Sequence, residues 1–177
     1  MSSHALGLRG PADPALLERL AALRTELELP PAFPAPVLAE AEAAAREVHA
    51  GLTGHIPADY VPEATLRLSL YRRLARMAEV SEVVEFEDEL ADRFGPLPPA
   101  VAPLLALTRL RLLCARAGVA RLDSGPQAAA LTPRDPADAR RLAGALGGRV
   151  REGRVIVGVS GPRAQARVEQ LAALLGG

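Results

Sequence analysis

The residues best placed to do chemistry are the carboxylates of the run SEVVEFEDELADRFGPLPP, Ser81 to Pro99. If this run is helical from Ser81, Val83, Phe86 or Glu87, Leu90 and Phe94 share one stripe at three- and four-residue spacing. Glu85, Glu89 and Asp92 then fall on the opposite side, with Asp88 beside them. Two carboxylates three apart on one face, Glu89 and Asp92, have the spacing of a general acid and base. That chemistry needs an apolar pocket to split their proton affinities, and nothing nearby in the sequence suggests one. Two other readings fit better: a solvated acidic face, or a protein-docking surface whose carboxylates accept bidentate hydrogen bonds from a partner's arginines.

A second charged cluster precedes it. Arg67, Arg72, Arg73 and Arg76 lie within RLSLYRRLAR and are expected to face mostly outward. They could touch DNA phosphates; alternatively they pair with the acidic helix next door and cover apolar surface with their stems. Metal chemistry is poorly supplied, because His4, His49 and His55 are scattered and Cys114 is alone. Without lysine the chain cannot complete a GxxxxGK[ST] phosphate loop, and no GxGxxG is present, so no cofactor is expected. Cys114 lies in an apolar run and reads as an inert core thiol.

The composition narrows the field further. The 177 residues carry 21 basic and 21 acidic side chains, which argues against a general nucleic-acid binder. Three Phe, two Tyr and no Trp offer few platforms for stacking single-stranded bases. Hydrophobic residues make up 49% of the chain, enough for a sizeable core built from Leu, Ala and Val. No run has the length of a membrane span and the first residues lack a signal-peptide core, so a soluble, cytoplasmic protein is expected.

Several elements must position the two clusters. Asp13 and Pro14 open a helix to about Leu27, the proline-rich Leu29 to Pro36 breaks it, and an Ala-rich helix follows from Val37 to Ala50, ended by Gly51 and Gly54. These residues, 1–54, read as a helical extension of undetermined role, and 55–177 as the main domain. Within it, HIPADYVP is extended and Pro62 opens a helix to about Met77. The acidic helix comes next, capped by Ser81 and stopped by a left-handed Gly95 with Pro96 and Pro98 behind it. A third helix to Ala117 is apolar nearly all round, as expected of a central buried helix. Beyond Gly118, strands at Val119–Asp123 and Ala128–Thr132, a helix from Asp135 to Leu146, strands at Arg149–Arg151 and Arg154–Val159, and a last helix from Pro162 to Leu175, capped by Ser160, complete an α+β plan: a helical part, then a small sheet with flanking helices.

The run IPADYVPEATLRLSLYRRLA, then ELADRFGPLPP, then LLALTRLRLLCARAGVARLDSGP resembles, in order and spacing, the C-terminal domain of the bacterial transcription-repair coupling factor (Mfd). The resemblance runs from about Ile56 to Thr132 and continues more loosely to about Leu175. It implies a domain without catalysis of its own, in a family whose long members are translocases that remove stalled RNA polymerase from DNA and recruit UvrA. It further implies autoinhibition: the domain packs on a UvrB-like module, covers its UvrA-binding surface, and docks through acidic residues of an ExxDRFG segment. Here those residues are Glu89 and Asp92, with Glu85 and Asp88 as neighbours. The motor and the UvrB-like module are absent from these 177 residues, so the partner is expected in cis, in a longer protein, or in trans, if the chain is a free-standing relative. The reading requires Glu89 and Asp92 to stand clear of the chain's own arginines.

Overall fold

A computed structural model describes residues 48–177, together with Ala22 and Thr25. The helices expected before residue 48 and the proline stretch between them lie outside the described residues. Where the second of those helices was expected to end, the chain instead forms a strand. Strand β1, Val48–His49, pairs in parallel with β2, Val119–Ser124, setting Val48 opposite Leu122 and His49 opposite Asp123. Ala50 is buried in the core beneath the sheet. Sheet pairing, which only the tertiary fold supplies, decides the conformation of Val48 and His49.

Three helices follow: α1 (Ala64–Arg76), α2 (Val80–Phe94) and α3 (Val101–Arg116). Leu70, Tyr71 and Leu74 of α1 and Val83, Phe86 and Leu90 of α2 meet Val101, Leu105 and Leu112 of α3, with Ile56 and Val61 closing the cluster. Burying Phe86 completely contributes about 3 kcal/mol on its own. Helix α3 also supplies Leu110 and Cys114 to a second core under the sheet. It is apolar on nearly every side because it separates two cores and packs against both.

The second core is covered by a mixed five-stranded sheet of order β1-β2-β3-β5-β4, where β3 is Ala128–Pro133, β4 Arg149–Arg151 and β5 Arg154–Gly158. All pairings except β1 with β2 are antiparallel. Helix α4 (Ala139–Leu146) is led in by a 3-10 turn at Pro136–Asp138, where the Asp135 carboxylate accepts from the Ala137 N–H at 2.9 Å. Helix α5 (Ala164–Gly176) starts later than expected; Ser160 does not cap it, and its N–H donates to the Gln170 side chain at 3.0 Å. The α+β class holds.

Candidate docking face on the acidic helix

Helix α2 begins one residue before Ser81, and the cap is a carboxylate rather than the serine hydroxyl. Glu82 accepts from the backbone N–H groups of Ala78 and Glu79 at 2.7 and 2.8 Å, which depresses its pKa. A carboxylate satisfies two otherwise orphaned donors there and meets the positive end of the helix dipole. At the other end Gly95 adopts φ 89° and ψ −169°, a positive-φ but extended conformation rather than the left-handed helical one expected, and its N–H returns to Ala91 O at 3.0 Å.

The segment that resembles the family is largely occupied with holding this helix in place. The Tyr60 hydroxyl reaches Leu90 O at 3.0 Å and Gly95 O at 2.8 Å, so it ties the entry segment to the last turn of α2. Its ring meets Phe94 edge-on at 5.8 Å, and burial raises the phenol pKa. The Ile56 N–H donates to the Tyr71 hydroxyl at 2.7 Å. Gly54 packs so tightly against the start of α3 that a Cβ would lie 2.2 Å from Leu104 N. The Arg93 guanidinium covers the Phe94 ring at 5.1 Å.

With α2 oriented by Val83, Phe86 and Leu90, the four acidic candidates separate. Glu85, Asp88 and Asp92 are exposed on the outward side, accompanied by Val84 and Ala91. Asp88, Glu89, Ala91 and Asp92 line an open depression on that side. Glu89 sits a quarter-turn away, on the flank facing α1. One of its carboxylate oxygens takes the Arg73 guanidinium and the other takes Arg93 at 2.8 Å. Its side chain is 31% exposed. These two bonds, Arg73 first, hold its carboxyl below the usual glutamate range. Glu89 is therefore not the free carboxylate that the sequence reading required; Asp92 is exposed, and among the described residues no counter-ion reaches it. The opposite flank is closed in the same way by Glu87, which pairs with Arg109 of α3.

The basic cluster also divides. Arg67 is 3% exposed and donates to Val61 O and Pro62 O at 2.6 and 3.0 Å, so it braces the turn into α1 and corrects the outward placement expected of it. Arg73 is held by Glu89 and lies 5.3 Å over the Phe86 ring. Arg72 and Arg76 remain exposed. Only these two of the four are presented as a phosphate-binding patch would require. General acid–base chemistry at Glu89 and Asp92 lacks its physical basis, since Glu89 is held ionised and Asp92 stands in an open depression rather than an apolar pocket. Among the described residues no His/Cys/Asp/Glu group could hold a metal, and no helix is long and apolar enough to cross a membrane.

Residues 50–141 match the family model described as the TRCF domain. The chain is 41% identical over 78 residues to a transcription-repair-coupling factor of Rickettsia bellii, an alignment covering 44% of this chain and 7% of the relative. It is 48% identical over 65 residues to that of Mycobacterium tuberculosis (37% and 5%) and 34% identical over 88 residues to that of Escherichia coli (50% and 8%). The chain thus spans less than a tenth of each of these relatives. A crystal structure of the C-terminal domain of transcription-repair coupling factor superposes with a TM-score of 0.57 at 16% identity, covering 73% of this chain and 90% of that one, which shows a shared fold. With more than half of its length matched by the family model, the chain belongs to the TRCF domain family.

Proposed function

We propose that this domain is a regulatory docking module of a transcription-repair coupling factor, acting in the bacterial cytoplasm. The outer face of α2 seats on an arginine-bearing UvrB-like module, in cis or in trans, masks the surface that module offers to UvrA, and restrains the motor until RNA polymerase is engaged. The observation that carries this reading is the row Glu85, Asp88 and Asp92, three exposed carboxylates on a rigid helix that no cation meets among the described residues. Such a row costs little in water and gains bidentate hydrogen bonds when guanidinium groups arrive. Asp92 engages without giving up any contact, whereas Glu89 must exchange Arg73 or Arg93 for a partner arginine. Residues 1–54 are taken as an extension whose last residues are joined to the unit 55–177 through β1.

The test is calorimetric titration of the chain with the UvrB-like module of a coupling factor. Asp88→Arg combined with Asp92→Arg weakens binding about tenfold or more, since a charge pair lost from an interface costs about 2–5 kcal/mol when desolvated and less at a rim. An unchanged affinity in a folded double variant overturns the reading.

A further inference from the structure

The sheet ends in an open edge with an unusual charge pattern. Strand β4 is outermost and bonds only to β5. The two strands are joined by the two-residue turn Glu152–Gly153, both with positive φ (51° and 74°), which makes Arg151 and Arg154 the hydrogen-bonded pair flanking the turn. Antiparallel pairs alternate, so Val150, opposite Val155, belongs to the non-bonded pair, and its N–H and C=O point away from β5 towards the free edge. Arg149 and Arg151 stand on the sheet face away from the helices, and Val150 on the helix side, where it remains 43% exposed. Arg151 also lies directly opposite Arg154. Like charges opposite one another oppose pairing, and only Arg154 of the two is neutralised, by Asp123. Among the described residues Arg149 and Arg151 have no counter-ion.

We infer that the outer edge of β4 accepts an extended peptide as an added strand, with the side-chain order acidic, apolar, acidic. The central residue exchanges backbone hydrogen bonds with Val150 and packs its apolar side chain on the exposed valine. The flanking carboxylates meet Arg149 and Arg151 on the other face and relieve the repulsion between Arg151 and Arg154. This is strand addition, in which the main chain supplies affinity and alternate side chains supply specificity. Nucleic acid fits less well, because the patch presents no aromatic ring and the whole chain carries no net charge. The edge is three residues long, so a weak, rapidly exchanging complex is expected. The inference concerns a different surface from the α2 face and does not depend on it.

The test uses the full chain and a fluorescein-labelled peptide, Gly-Thr-Glu-Val-Glu-Thr-Gly, read by anisotropy. Binding saturates, and falls about tenfold or more, that is by about 1.4 kcal/mol, for the peptide with both Glu replaced by Gln and for Arg149→Ser with Arg151→Ser. It falls equally for a peptide N-methylated at its valine, which keeps the charge but loses the donor, a comparison that requires no change to the protein. Three outcomes overturn the inference: no saturation by about millimolar peptide, the range where binding is worth only about 4 kcal/mol; equal affinity for the N-methylated peptide; or tighter binding of oligothymidylate through the same two arginines.

Discussion

Arg73 of α1 and Glu89 of α2 close on each other across the helix pair, and the same guanidinium lies 5.3 Å over the Phe86 ring. This contact joins the basic cluster to the acidic helix and decides which charges are left for a partner. It commits one arginine and one carboxylate to the domain itself. The outward row is thereby reduced to Glu85, Asp88 and Asp92.

The pairing gives Glu89 a pH signature. Its folded pKa is depressed, so the stability it contributes is fully present above the ordinary glutamate value of 4.5 and is lost as pH falls through the lower folded value. Arg73→Gln should raise the Glu89 pKa, followed by carboxyl-carbon NMR. It should also lower stability near neutral pH by about 0.2–1 kcal/mol, as for an exposed pair, with the difference shrinking below pH 4.5.

Tyr60→Phe removes the hydroxyl that ties the entry segment to Leu90 O and Gly95 O. A loss of about 1 kcal/mol is expected in chemical denaturation, with the ring contact to Phe94 retained. Hydrogen exchange should quicken in the last turn of α2, where Gly95 donates to Ala91 O.

Gly54→Ala tests whether the segment before the helices is integral to the domain. The new Cβ would lie 2.2 Å from Leu104 N, in backbone that cannot give way like a flexible side chain. A destabilisation of about 1–3 kcal/mol is expected from thermal melts. An unaffected variant would mean that the segment does not sit against α3 in solution.

Much of this arrangement was legible in the sequence. The stripe of Val83, Phe86 and Leu90 fixed the inner side of α2, and the all-round apolar α3 declared a helix buried between neighbours. The stretch from Val150 to Val159 read as a hairpin or two sequential strands, and the antiparallel pairing of β4 with β5 makes it the hairpin. The pairing of Glu89 was not legible, because periodicity gives an angle about the helix axis but not which neighbour lies alongside. Glu89 and Asp92 share a side of the helix by spacing; only the position of α1 places the first beside Arg73 and leaves the second outside. Arg67 was misplaced for a related reason, since a basic residue on an amphipathic helix reads as exposed until the carbonyls it bonds, Val61 O and Pro62 O, are brought beneath it. Strand β1 was missed because two residues carry no periodicity and their partner, Leu122, lies far along the chain.

The central claim is that carboxylates on the outer face of α2, Asp92 first among them, bind arginines of a UvrB-like module. A charge-exchange cycle measures this most directly: calorimetric affinities of wild type and Asp92→Arg, each against the wild-type module and against variants with single surface arginines changed to Glu. Each single reversal is expected to weaken binding about tenfold, and one pairing of Asp92→Arg with a module Arg-to-Glu variant to recover most of that loss. If Asp92→Arg binds the wild-type module as tightly as the unaltered chain does, the account is contradicted.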